Sequence, residues 1–335
     1  MGFAGTGLWA DVREVPDALA ATLAAGDGVA DAAALLRDHG VERVVAVGNG
    51  AAYYVAHALW LASLEGSAAG PALVAVPCGL AVRESFRWRR GDAVLAISSS
   101  GEFRDVVDIA RRARERPCVA ITADPASSLA AASTATVLQQ VDSQRAVTHT
   151  QALCGAYAIG LVLWAAVAAD DDLAAVAATA PGAATRAVAT AEDWAPTAIA
   201  GLALPRAAVV AGGGTAWAAA LELALMLKEV ARIPAEGVET REGATSAMFG
   251  LDAGDLMVSL DRAGDALGDE ALRLCAAAGA ETLRLPHVEA DDRLAPITML
   301  PASAALSAGL ALAAGHDVDQ PTWTDAYHAT ARGAT

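Results

Sequence analysis

Short apolar runs separated by longer stretches of helical character recur twice along this chain of 335 residues. Alternation of that kind marks a doubly wound α/β domain, in which parallel strands are joined by helices. In the first half the runs are "RVVAVG" (43–48), "ALVAVP" (72–77), "DAVLAIS" (92–98), "CVAIT" (118–122) and "TVLQQ" (136–140). Helical segments at 15–24, 29–38, 51–65, 105–115 and 150–169 precede, separate or follow them. The pattern restarts with "AAVVAGGG" (207–214), "DLMVSL" (255–260) and "ETLRLP" (281–286), with helices predicted over 215–232 and 266–279. The segment 178–196 reads as a partly helical linker. Two similar α/β domains in tandem follow, and a length of 335 residues fits roughly two domains.

Composition narrows what such domains can bind. A formal net charge of −16 argues against nucleic acid as a partner, and it requires any anionic ligand to be held locally by backbone N–H groups and hydroxyls. The four cysteines, Cys78, Cys118, Cys154 and Cys275, show no paired spacing, so a reduced, cytoplasmic protein without a metal is expected. The N-terminus has no basic region followed by a long apolar run, so it is not a secretory signal. Residues 152–169 carry no charge and approach membrane-spanning length, but stand alone and are mostly small; they read as a buried helix, and no membrane is expected.

Chemistry concentrates in "AVLAISSSGEFRD" (93–105), where an apolar strand runs into Ser98, Ser99, Ser100 and Gly101 before a helix. Hydroxyls and free N–H groups at a helix N-terminus form an anion site at the carboxyl end of a strand, where ligands bind in open α/β sheets. An ordinary serine-rich turn is the alternative. The only lysine, Lys228, stands beside Glu229 in "LELALMLKEV" (221–230). On a helix the two point about 100° apart, so Lys228 reads as a structural cation. Glu222 and Glu229, seven apart, share a face of an otherwise apolar helix, which suggests a polar cavity. A surface carboxylate paired with Arg232 is the other reading of Glu229.

Four stretches in order resemble the sugar isomerase (SIS) domain family. The serine loop is similar to its S-x-S-G turn, and "AVTHTQAL" (146–153) to its V-A-x-T helix start. "ALELALMLKEVARIPAEG" (220–237) and "GHDVDQP" (315–321) look like the second-domain helix and C-terminal motif of the isomerase half of glucosamine-6-phosphate synthase. The resemblance implies two tandem SIS domains, each a flavodoxin-like, doubly wound parallel sheet flanked by helices. The expected division is an N-terminal helical segment at 1–28, SIS domains at 29–180 and 195–320, and a tail at 321–335. It also implies a homodimer with a sugar-phosphate site near the interface and no cofactor. Carried over by position, Ser98, Ser99 and Ser100 bind phosphate, and Asn49, Gly50, Thr148, His149 and Thr150 touch the sugar. Glu229 is the general base that shuttles a proton between C1 and C2 through an enediol, since moving a carbonyl between adjacent carbons needs one base that reaches both.

Departures qualify that picture. Phe103 replaces the loop's usual threonine. The tail lysine that forms a Schiff base falls near Ala326, and nothing resembling a glutaminase domain precedes the SIS pair. The ring-opening histidine falls at Glu242 within "ETREGATS" (239–246), or at Thr245 in an ungapped count. Glu242 serves only if burial raises its pKa, and His328 in the tail is a further candidate imidazole. The expectation is therefore a phosphosugar aldose–ketose isomerase, with or without deamination of an amino-sugar 6-phosphate, and not a glutamine-dependent synthase. A non-catalytic sugar-phosphate sensor is the alternative.

Overall fold

Nine strands form two all-parallel sheets in the computed structural model, which describes residues 2–38, 40–66, 69–113, 115–142 and 144–320. The first contains β1 (Arg43–Gly48), β2 (Ala72–Pro77), β3 (Asp92–Ile97), β4 (Cys118–Thr122) and β5 (Ala135–Leu138), in the order β2-β1-β3-β4-β5. The second contains β6 (Ala208–Gly212), β7 (Ala235–Glu239), β8 (Leu256–Ser259) and β9 (Glu281–Arg284), in the order β7-β6-β8-β9. Central strands β1, β3, β4, β6 and β8 are buried almost throughout, as expected where helices cover both faces of a parallel sheet. The apolar runs therefore had to be continuous rather than alternating.

The chain divides into two compact units. One comprises residues 17–142 and 151–180 and holds the first sheet; the other comprises residues 2–16, 144–150 and 181–320 and holds the second. Each has its own apolar core. In the first unit Val45, Val47, Val94 and Ala96 pack against Val106, Ile109 and Leu129. In the second, Val209, Ala211 and Met257 pack against Met248, Ala271 and Cys275.

The sheets repeat one another down to single residues. The turns after β1 and β6 read Gly48-Asn49-Gly50 and Gly212-Gly213-Gly214, and the last glycines share a backbone conformation (φ 54°, ψ −130° and φ 53°, ψ −136°). A Cβ on Gly48 or Gly212 would stand 2.5 Å from the following helix's backbone, so both turns demand glycine. Val47 pairs with Ala96 and Ala211 with Ser259. That register sets Ser98-Ser99-Ser100-Gly101 against Asp261-Arg262-Ala263-Gly264, and both terminal glycines have positive φ, 63° and 88°.

Two sequence expectations change. The segment 178–196 is not a linker but most of a 21-residue helix, Ala180–Ala200. Nine alanines sustain it, and Pro181 falls in the first turn, where its missing N–H costs nothing. Strand β7, "AEGVE", was not anticipated. It is an edge strand paired only with β6, so polar residues suffice.

Two helical spans, Thr150–Ala168 and Asp292–Ala313, are long and apolar enough to cross a membrane, yet their most apolar stretches are 89% and 94% buried within the protein. The small side chains that raise their hydropathy serve close packing. A Cβ at Gly160 would sit 2.8 Å from Leu59, and one at Gly309 would sit 2.6 Å from Ile199.

Candidate functional site

At the carboxyl end of β3 the serine loop is braced from several sides. The buried Ser98 hydroxyl accepts the Gly101 N–H at 3.1 Å. The Ser99 carbonyl accepts the Ala123 N–H at 2.9 Å and the Thr122 hydroxyl at 3.0 Å. Glu102 turns away, its carboxylate accepting the backbone N–H and the hydroxyl of Ser128 at 2.7 and 2.8 Å. Ser99 and Ser100 remain half-buried. Phe103, the residue that departs from the resemblance, is the N-cap of the Arg104–Arg112 helix and packs its ring on the core. It supplies no side-chain cap, so the first-turn N–H groups keep their affinity for an anion.

The equivalent seat in the second unit is already filled. Asp261, in register with Ser98, accepts the Gly213 N–H at 2.8 Å and the Thr240 hydroxyl at 2.6 Å. Burial raises its pKa, opposed by those two hydrogen bonds. A carboxylate thus occupies that turn, whereas its counterpart carries only the uncharged, half-buried hydroxyls of Ser99 and Ser100. Asn49, in register with Gly213, and Gly50 lie at the carboxyl end of β1, beside β3 in the first sheet.

Gly101 fixes the loop's shape. Its φ is 63°, and a Cβ there would stand 2.2 Å from the Ser127 hydroxyl oxygen. Gly101→Ala is therefore expected to displace Ser99 and Ser100 and to weaken hexose 6-phosphate binding at least about tenfold, measured by titration calorimetry. Unchanged affinity would show that this loop does not hold the phosphate.

In the second unit the Thr215–Glu229 helix carries the two acids on one face. Glu222 is 5% exposed, and its Oε2 is buried with no hydrogen-bond partner. Desolvation, with help from the charge of Glu229, pushes its pKa up to about 8. Glu229 is half-buried and also raised, chiefly by desolvation. The buried Thr148 hydroxyl and the Lys228 charge oppose that shift, though the Thr148 contact falls short of a well-formed hydrogen bond. Lys228 itself is exposed. The result is a carboxylic acid held neutral on the same face as a carboxylate of raised basicity.

Thr148 is positioned by two distant acids. Asp11, fully buried, accepts the Arg145 and Ala146 N–H groups at 2.8 and 2.9 Å and binds the Arg145 guanidinium at 2.8 Å. Asp319, within the "DVDQP" stretch, accepts the N–H groups of Gly7 and Leu8 at 2.7 and 2.8 Å, and its carbonyl accepts the Val147 N–H at 3.1 Å. That motif thus caps the N-terminal helix and pins the segment before Thr148. Thr150 is buried at the start of the next helix, its hydroxyl without a partner, whereas His149 is exposed. Glu242 is exposed on a short turn, where its carboxylate accepts the Ser246 hydroxyl at 2.8 Å. The burial on which its acid–base role depended is absent. His328 lies outside the described residues. Glu222 and Asp11 went unassigned in the sequence reading; the spacing of Glu222 and Glu229 signalled the first, and nothing local signals the second.

Two parallel sheets with repeated glycine turns, each flanked by helices, make up the tandem sugar isomerase (SIS) fold. Its fold is that of tandem SIS domains and of phosphosugar isomerases of known structure. No protein-family model and no curated protein sequence matches it, so the likeness rests on solved structures. It is similar to a protein of Silicibacter pomeroyi assigned as a phosphosugar isomerase, with 25% identity, a TM-score of 0.78, and 94% of this chain and 100% of that one covered. The C-terminal domain of glucosamine-fructose-6-phosphate aminotransferase from Francisella tularensis matches at 21% identity and TM-score 0.74, covering 96% and 100%. Glucosamine-6-phosphate deaminase of Thermotoga maritima matches at 16% and 0.74, covering 95% and 98%. At 21% and 16% identity the last two speak to the fold alone.

Proposed function

We infer that the protein is a phosphosugar aldose–ketose isomerase. The observation that carries this reading is the division of labour between repeated halves. One sheet keeps its anion seat open with serines, the other closes its seat with Asp261 and instead presents the Glu222–Glu229 pair. In this assignment Ser99, Ser100 and the N–H groups of the Arg104–Arg112 helix hold the phosphate, and Asn49, Gly50, Thr148 and Thr150 orient the sugar chain. Glu229 takes the proton from the carbon beside the carbonyl and returns it to the neighbouring carbon. A raised pKa suits a base that must also act as the acid in the second half of the reaction. The same proton transfer on an amino-sugar 6-phosphate gives an enolamine whose tautomer loses ammonia to water, so deamination is the natural extension. The site is read as lying near the interface of a homodimer, in the cytoplasm.

A binding protein without turnover is the second reading. It is favoured by the chemistry of the lysine: the only one in the chain is exposed, so no buried amine is at hand for a Schiff base. One experiment separates the two. The protein is incubated with a panel of hexose and amino-hexose 6-phosphates while ketose and ammonia are measured beside thermal stability. Ketose formation from at least one aldose phosphate is expected. Stabilisation without product selects the sensor, and neither stabilisation nor product overturns both.

A further inference from the structure

The unit that carries the serine loop contains a cavity of about 180 Å³ away from that loop. It is lined by Arg83, Phe86, Trp88, Ile109, Arg112 and Arg116, with Glu84 as its only carboxylate. Arg83 to Trp88 belong to the connection between the short Cys78–Ala81 helix and β3. Arg112 ends the Arg104–Arg112 helix, and Arg116 stands just before β4. The serine loop lies at the opposite end of that helix, about 13 Å along its axis for nine residues.

Counter-charges here are few: Glu84 is exposed, and Asp92, whose charge interacts with that of Arg116, is already paired with Arg43. Neighbouring Arg104 and Arg111 pair with Asp105 and Asp108. Arg112 instead donates to the Val82 carbonyl at 2.7 Å and Arg83 to the Gly79 carbonyl at 3.2 Å. The Arg116 guanidinium lies 5.5 Å from the centre of the Trp88 ring, and its Nε is buried with no hydrogen-bond partner. Trp88 and Phe86 meet edge to face at 4.8 Å. Among the described residues, Arg83, Arg112 and Arg116 form no ion pair, although the chain carries 39 acids against 23 bases. A buried donor left unpaired costs about 1–3 kcal/mol, which a bound acceptor would recover.

We propose that this cavity is a second anion-binding site, for a small molecule that joins a flat ring to an acid group. A cavity of about 150 Å³ accepts a benzene ring, so this one takes a ring and a carboxylate together. The ring packs on Phe86 and Trp88, and the acid group meets Arg112 and Arg116, whose planar forks suit two-point contact with an oxyanion. The proposal is independent of the reaction assigned above.

Benzoate is the probe, with benzyl alcohol lacking the charge and acetate lacking the ring. Titration calorimetry and saturation-transfer NMR on the full chain are expected to show saturable benzoate binding in the millimolar range, with both controls at least about tenfold weaker. Arg112→Gln and Arg116→Gln are each expected to weaken benzoate about tenfold or more while melting within a few degrees of the parent. Saturating hexose 6-phosphate should not compete with benzoate. The proposal fails if benzoate does not bind, if benzyl alcohol binds as well, if Arg112→Gln has no effect, or if the sugar phosphate displaces the probe. It also fails if Arg112→Gln dissociates a dimer without altering benzoate affinity, since a second copy of the chain would then be what meets these arginines.

Discussion

Glu229→Gln is expected to lower kcat on the accepted sugar phosphate by a factor of about 10² to 10⁴, with KM nearly unchanged. Glutamine keeps the shape and hydrogen-bonding reach of the side chain but cannot take a proton from carbon. The phosphate contacts assigned to the serine loop stay intact, which is why the loss should fall on kcat rather than on binding. In the parent protein, kcat/KM should rise with pH through a carboxylate pKa above the ordinary glutamate value, because burial raises that of Glu229. The measurement is steady-state ketose formation across pH, beside sugar-phosphate affinity by calorimetry. A variant with parental kcat would remove Glu229 from the mechanism.

Glu222→Gln is expected to change how stability depends on pH. The folded protein holds the Glu222 proton up to about pH 8, whereas the unfolded chain releases it near the ordinary value of 4.5. Between those values the folded state binds the extra proton, so the stability contributed by this group is full at low pH and declines as pH rises through that window. Above pH 8 both states are charged and the decline stops. The amount lost is on the order of a few kcal/mol, enough to move a melting temperature by several degrees. Glutamine does not titrate, so the variant should gain on the parent as pH rises from about 5 to 9. Melting curves of both proteins across that range make the test, and parallel profiles would show that Glu222 does not carry a displaced proton. Because Glu229 contributes to the shift of Glu222, Glu229→Gln should reduce the pH dependence as well.

The two acids also show where sequence reasoning reached its limit. Their seven-residue spacing placed them on one helix face, and the helix expected over 215–232 forms over Thr215–Glu229, with Glu229 as its last residue. Spacing cannot tell that Glu222 is almost wholly buried while Glu229 is only half so; that follows from what packs against the helix. Thr148 is similar: its hydroxyl was legible as a polar group at a helix start, but its orientation depends on Asp11 and Asp319, distant in the chain. For Glu242 the outcome ran the other way, because the turn that follows β7 leaves it exposed.

By itself the sequence determined the architecture. Apolar runs of strand length alternating with helices leave a parallel sheet as the way to bury both faces, Gly48 and Gly212 mark turns where backbones pass too closely for a Cβ, and Gly50 and Gly214 take the positive φ that the same turns require. It also located the serine loop, since hydroxyls between a strand and a helix are a local pattern. Only the tertiary structure decided which of the two equivalent turns stays open to an anion. Asp261 reads in sequence as one of many acids, and it becomes a plug because Gly213 and Thr240, from other segments, converge on its oxygens. Burial and charge pairing are sums over neighbours brought together by folding, so no local stretch of sequence contains them.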